Sequence, residues 1–288
     1  MSKQETIRRQ VAEAYAKAVG EPDERSCCGG AEQRHVVTKL GGYSSEELQA
    51  LPADAVINSF GCGNPVAFAE IRPGQVVLDL GSGAGIDILL AARKVGPSGR
   101  AIGIDMTDEM ISRARENISA SGLDNVEVRQ GIIEKLPVES ESVDWVISNC
   151  VINLSPEKER VFAEIQRVLR PGGRMAVSDI VARDLPAWIR GDPDLYSGCI
   201  GGAISEEEYL AKLRDAGLID VQVADRIVYD VDQLAALLAS ELSDAEDDEA
   251  CACGCGTAGP EQARKIAEGL AGKIWSARFL ARKPQAAP

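Results

Sequence analysis

Histidine is nearly absent, with His35 the single imidazole in 288 residues. Any mechanism that needs an imidazole base has one candidate, and zinc sites of mixed Cys/His type are poorly supplied. His35 itself reads as a solvated loop residue. Positive charge is also short, with 31 Lys and Arg against 45 Asp and Glu and a formal net charge of −14. That average field repels phosphate backbones and anionic membranes, so a nucleic acid substrate is disfavoured. No uninterrupted apolar run approaches the roughly 18 residues of a membrane span. The opening MSKQETIRRQ lacks the apolar core of a signal peptide. Together these absences predict a cytoplasmic protein with neither membrane nor nucleic acid as partner.

Eight cysteines are present, against that background. Cytoplasmic reductants keep thiols available as thiolates or soft-metal ligands, so a structural disulfide framework is the weaker reading. A hydrophobic content of 45% with 26% charged residues is ordinary for a globular chain. The length suits one large domain with appended segments.

The spacing of apolar residues predicts a helix over 2–19, with Ile7, Val11, Tyr15 and Ala18 on one face, and a second near 44–51, where Ser44 precedes Glu47 as in a capping box. Strand-like runs then alternate with helical ones. Strands are expected over 76–80, 101–105, 126–129, 143–148 and 175–180, and helices over 84–94, 107–121 and 156–169, the last stopped by Arg170-Pro171-Gly172-Gly173. This βα wiring implies five parallel strands. After a helix over 205–216 come two further runs, 221–229 and 274–280, which suit an antiparallel pair at the sheet edge. The expected fold is α/β, a mostly parallel seven-stranded sheet with helices on both faces. Residues 1–73 form an N-terminal cap, 74–229 the core and 274–288 the last strand and tail. Residues 230–273 read as an acidic, Cys-rich insertion without a packed core, since six of the nine residues 241–249 are acidic.

Glycines 81, 83 and 85 directly follow the strand 76–80, where they allow a sharp turn and close backbone approach to a ligand. Twenty residues on, Asp105 in Gly103-Ile104-Asp105-Met106 ends the second strand, placed to accept hydrogen bonds from ribose hydroxyls. The loop is GxGxG with Asp79 two residues ahead, not the GxGxxG of nicotinamide enzymes, and so resembles the class I methyltransferases. That resemblance implies S-adenosylmethionine as donor and places Ile133 and Glu134 of Gly131-Ile132-Ile133-Glu134-Lys135-Leu136-Pro137 around the adenine. The candidate donor residues are Asp79, Gly81, Ser82, Gly83, Gly85, Asp105, Met106, Ile133, Glu134 and Asn149.

Three cysteines fall where such a sheet presents a substrate. Cys62 lies in Gly61-Cys62-Gly63-Asn64-Pro65, whose glycines leave the thiol uncrowded. Cys150 ends strand four and Cys199 follows strand five, at the carboxyl-end crevice of an open α/β sheet. Singly, each also fits an ordinary buried small residue. Trp145 and Trp188 read as packing residues, Trp188 near the acceptor region.

GCGNPV, LDLGSGAG, GIDMT, GIIEKLP, SNCVINLSPEK and DLYSGCIGGA together resemble the arsenite methyltransferases, over residues 27–229. The resemblance implies that Cys62, Cys150 and Cys199 bind trivalent arsenic, with Cys27 or Cys28 as an additional N-terminal thiol. It also implies detoxification as the role, arsenite or its thiol conjugates as substrate, and thioredoxin or glutathione as reductant. The chemistry is compatible: arsenic(III) is thiophilic, and its lone pair can attack a sulfonium methyl without a general base. Cys251, Cys253 and Cys255 suit arsenite loading, zinc or an idle loop. Two other readings use the same residues differently: a quinone-type C- or O-methyltransferase with incidental cysteines, and a non-catalytic thiol protein that binds metalloids.

Overall fold

The computed structural model describes residues 2–20, 42–241 and 260–286. His35, Cys27, Cys28, Cys251, Cys253 and Cys255 lie outside the described residues.

The strands β1 (Val76–Leu80), β2 (Arg100–Asp105), β3 (Val126–Gln130), β4 (Val143–Asn149), β5 (Leu169–Ala182), β6 (Ile219–Val228) and β7 (Ile274–Arg282) form one sheet in the order β3-β2-β1-β4-β5-β7-β6. The first five pair in parallel, while β7 is antiparallel to both β5 and β6, so β7 alone runs against the rest. This is the Rossmann-like sheet with an antiparallel edge pair expected from the βα alternation.

Successive residues of a strand face opposite sides, and β1 shows the consequence. Leu78 and Leu80 join a core with Ile104, Phe162, Ile165 and Phe279 on one face. Val77 joins Ile88, Leu89 and Ile147 on the other. Both faces of the sheet are therefore covered, which is why β1 reads as a continuous apolar run broken only by Asp79. On the first face the Tyr209 ring stacks on Phe279 with centroids 4.0 Å apart, and Phe162 meets its edge at 5.1 Å.

Near the N-terminus, helix α1 (Lys3–Gly20) lies against the carboxyl-end side of the sheet. The expected capping box is present: Glu47 N donates to Ser44 Oγ at 3.1 Å and Ser44 N donates to Glu47 Oε2 at 2.9 Å.

Two expectations are corrected. The strand expected from residue 175 starts at Leu169, directly after the helix Lys158–Val168. Arg170 precedes Pro171 and is biased to extended backbone, so chain reversal and strand entry coincide. Leu169 pairs with Val143 before the register shifts. The second correction concerns residues 230–273. The flanks of this stretch are helices, Val231–Glu241 and Pro260–Leu270, and Leu234, Leu238, Ala263 and Ala267 are fully buried. They pack into the same apolar cluster as Cys62, Cys150 and Cys199. The acidic run between them obscures this pattern in composition. Trp145 is buried as expected, but Trp188 is 54% exposed and is not a packing residue.

Candidate active site

At the carboxyl ends of β1, β2 and β4 a cleft of about 920 Å³, open mouth included, is lined by the glycine loop, by Asp79, Asp105 and Met106, and by Ile133 and Glu134. Gly81, Gly83 and Gly85 have φ of +65°, +51° and +105°, the left-handed region that glycine enters without strain. A Cβ on Gly81 would overlap the Val151 side chain. The loop is pinned from β2: Ser82 N donates to Ile104 O at 3.0 Å, and Gly83 N donates to Asp105 Oδ2 at 3.0 Å. Asp105 Oδ1 accepts from Thr107 N at 2.9 Å. Burial raises the Asp105 carboxyl above its usual range, against these amide bonds.

Two buried polar atoms on the cleft wall, Asp79 Oδ2 and Ser82 Oγ, have no hydrogen-bond partner among the described residues. Native interiors rarely leave such groups unpaired, and these two fall together beside the glycine loop. Burial, then the neighbouring Asp87 and Asp105, push the Asp79 carboxyl well above its ordinary value. Carboxylates, amide-rich backbone and an apolar wall of Ile133 and Met106 suit a donor carrying positive charge, a ribose and an adenine.

Several lining residues carry no sequence signature. Arg8, Val11 and Tyr15 of α1 close one side of the cleft. Arg8 Nε donates to Glu134 Oε1 at 3.0 Å, and the guanidinium also pairs with Glu157. Ser155 Oγ donates to the same Glu134 oxygen at 2.7 Å. The Glu134 carboxylate is thus held by the protein while it lines the cleft. Its partner Arg8 has no local sequence pattern that marks it as a cleft residue. Asp87, at the start of the helix Ile86–Val95, is buried and bonded to Tyr43 and Asn149. A charged residue within an apolar helix was the one available hint of its role.

Asn149 lines the cleft, yet its amide faces inward. Gly63 N donates to Asn149 Oδ1 at 3.0 Å, and Asn149 Nδ2 donates to Gly63 O at 2.6 Å. The strand-end amide therefore seats the Cys62 turn on β4. The flanking glycines serve this approach: a Cβ on Gly61 would overlap Asn149, and one on Gly63 would overlap Ser178. The uncrowded thiol expected from those glycines is corrected, since Cys62 is buried.

The three cysteines do come together in one apolar cluster. Cys62 and Cys150 are joined by a disulfide across 88 residues of sequence. Cys199 is buried beside them, its Sγ donating to the carbonyl oxygen of Cys150. In the described state two of the three sulfurs are bonded to each other, so three thiols are available together only after that bond is reduced. Among the described residues no three His, Cys, Asp or Glu side chains are grouped to hold a metal ion. Cys150 and Cys199 have φ of +59° and +65°, which non-glycine residues seldom adopt and which commonly marks functional sites. The turn after Cys150 is fixed by Lys158, whose Nζ donates to Asn153 O at 3.1 Å and Ser155 O at 2.9 Å.

Residues 71–217 match the family model described as a methyltransferase domain. The chain is 49% identical over 201 residues to the arsenite methyltransferase of Halobacterium salinarum, covering 69% of this chain and 51% of that one. Over 194 residues it is 38% identical to the arsenite methyltransferase of Aquipseudomonas alcaligenes, covering 65% and 55%. The chain thus spans about half the length of these curated relatives. Among solved structures, the arsenic(III) S-adenosylmethionine methyltransferase from Chlamydomonas reinhardtii aligns with a TM-score of 0.66 and 31% identity, over 84% of this chain and 74% of that one. No described helix is long and apolar enough to cross a membrane. With its glycine loop, its strand-end acid and its clustered cysteines, the chain belongs to the arsenite methyltransferase family of class I methyltransferases.

Proposed function

We propose that the protein methylates trivalent arsenic with S-adenosylmethionine, as a detoxifying enzyme whose reduced Cys62, Cys150 and Cys199 hold the arsenic. The observation that carries this reading is that the three cysteines cluster at the wall of the donor cleft, with Cys150 itself lining it. When bound, S-adenosylmethionine supplies an electrophilic methyl group on a sulfonium. The chain's part is to hold the two reactants in line and to exclude water. Thiolates suit a soft metalloid as carboxylates do not, and an arsenic lone pair needs no base to unmask it.

Methyl transfer to arsenic(III) leaves arsenic formally at the +5 state, and two electrons return it to +3. A pair of cysteine thiolates can supply them by forming a disulfide, and a Cys62–Cys150 disulfide is the oxidised product of such a pair. Turnover then requires a dithiol or thiol reductant of the thioredoxin or glutathione type to reopen it. Cys27 or Cys28 would add a further thiol to the arsenic site.

The test is incubation of the reduced protein with arsenite, S-adenosylmethionine and a thiol, followed by separation of arsenic species. Methylarsenicals are expected, and none above a donor-free control would overturn the assignment. Replacing Cys150 or Cys199 with serine should abolish methylation. Retained activity would favour an acceptor that does not need the thiols.

A further inference from the structure

Asp87 belongs to no motif of the donor loop, yet it is 4% exposed and lines the cleft. Both of its oxygens are held. Tyr43 Oη donates to Oδ1 at 2.8 Å, and Asn149 Nδ2 donates to Oδ2 at 3.0 Å. Asn149 Nδ2 also lies 2.9 Å from the Tyr43 hydroxyl, so phenol, amide and carboxylate form a closed triangle.

Beside it stands Asp79, 2% exposed, whose Oδ2 has no partner among the described residues. Two carboxylates therefore share a low-dielectric wall. The Asp105 carboxylate is bonded by the backbone amides of Gly83 and Thr107. The guanidinium of Arg8, also in the lining, is taken up by Glu134 and Glu157. No lysine is among the described residues that line the cleft. Burying like charges without a counter-ion is strongly unfavourable, and the arrangement is explained if the compensating charge arrives with the ligand.

We propose that Asp87, positioned by Tyr43 and Asn149, acts with Asp79 to make the donor cleft select the cationic sulfonium donor over its neutral thioether product. The inference rests on the donor reading above. Methyl transfer breaks the S–CH3 bond, forms the bond from carbon to the acceptor lone pair and leaves the former bonding pair on the donor sulfur. The ligand thereby loses one positive charge. A wall whose carboxyl groups are kept ionised by an arriving cation binds the ligand more strongly before this step than after it, so the same two groups that favour capture favour release. Burial raises both carboxyl groups, Asp87 to about 6, in the direction a missing counter-ion requires.

The test is equilibrium binding of S-adenosylmethionine and S-adenosylhomocysteine to the full reduced chain by calorimetry, with no acceptor present. Asp87→Asn should weaken binding of the sulfonium by about tenfold and of the thioether by less than about threefold. Tyr43→Phe should move the ratio in the same direction by a smaller factor, because it loosens the carboxylate without removing its charge. Equal weakening of both ligands would mean a structural role only and would overturn the proposal, as would an unchanged ratio. If Asp87→Asn shows no cooperative melting, Asp79→Asn is measured under the same criterion. Failure of the wild-type chain to bind either ligand would overturn the donor reading itself, a result distinct from a ratio that does not move.

Discussion

Asn149 Nδ2 lies 3.0 Å from Asp87 Oδ2, a hydrogen bond that joins the strand end beside Cys150 to the helix that follows the glycine loop. The same amide nitrogen donates to Gly63 O at 2.6 Å, next to Cys62. The donor cleft and the cysteine cluster therefore share one buried polar network, and changes at either end are expected to be felt at the other.

The redox state of the cysteines is directly measurable. In unreduced protein, alkylation under denaturing conditions followed by mass spectrometry should leave Cys62 and Cys150 unmodified. After reduction both should be labelled. Labelling of Cys62 in unreduced protein would contradict the pairing.

Asp87 makes donor-free stability depend on pH. Burial raises its carboxyl from 3.8 to about 6, against the hydrogen bonds from Asn149 and Tyr43, while Glu47 pushes it further up. The folded state thus holds this proton more tightly than the unfolded chain does. This contribution to stability is greatest below about pH 4 and is lost as pH rises through about 6, a difference on the order of 3 kcal/mol. Asp87→Asn removes the dependence. In urea denaturation its stability relative to wild type should improve by that order between about pH 4 and about pH 8. A constant difference would show that Asp87 does not titrate in this range.

Two glycines with nearly the same φ differ in the space open to a Cβ. Gly96 has φ +64° and open space where a Cβ would sit, whereas the Cβ of an alanine at 81 would meet Val151. Gly96→Ala should lose roughly 1–3 kcal/mol, because its ψ of −176° lies in a region essentially reserved to glycine. Gly81→Ala should lose roughly 2–4 kcal/mol and weaken donor binding, because Val151 or the loop must shift. Thermal melting with and without donor checks both.

Arg8→Met tests the clasp between α1 and the cleft. Glu134, 5% exposed, would keep Ser155 but lose the guanidinium. A loss of roughly 1–3 kcal/mol is expected, with faster amide exchange along residues 3–20. Unchanged exchange would mean that α1 is held by its apolar face and by the bonds at Tyr15 and Val19 without the Arg8 clasp.

Leu234→Ala and Leu238→Ala address the segment after β6. Each side chain is fully buried, so each substitution should lower stability by roughly 2–5 kcal/mol. Losses below about 0.5 kcal/mol would restore the reading of this stretch as lacking a packed core.

Much of the sheet was legible because its signals are local. The apolar run before Gly81, the glycines at 81, 83 and 85 and the acid at 105 are close in sequence. Their conformations are set by whether a Cβ is present and by which face a strand buries. The same holds for Ser44 and Glu47, whose three-residue spacing is itself the capping geometry. The helices over 231–241 and 260–270 were obscured because an acidic run dominates the composition between them, while their burial depends on an apolar surface supplied by Cys150, Leu195 and Ile274.

The sequence by itself determined the glycine-loop half of the cleft: where the loop turns, which strand it follows and which carboxylate ends the next strand. It also marked Cys62, Cys150 and Cys199 as a set. Tertiary structure alone decided that Cys62 pairs with Cys150 across 88 residues, that Arg8 meets Glu134 across 126, and that Asp87 is locked between Tyr43 and Asn149. The physical reason is range. Glycine conformation and strand alternation act between neighbours, whereas a disulfide, a buried ion pair and a shared carboxylate depend on which distant surfaces dock, and no local pattern encodes that choice.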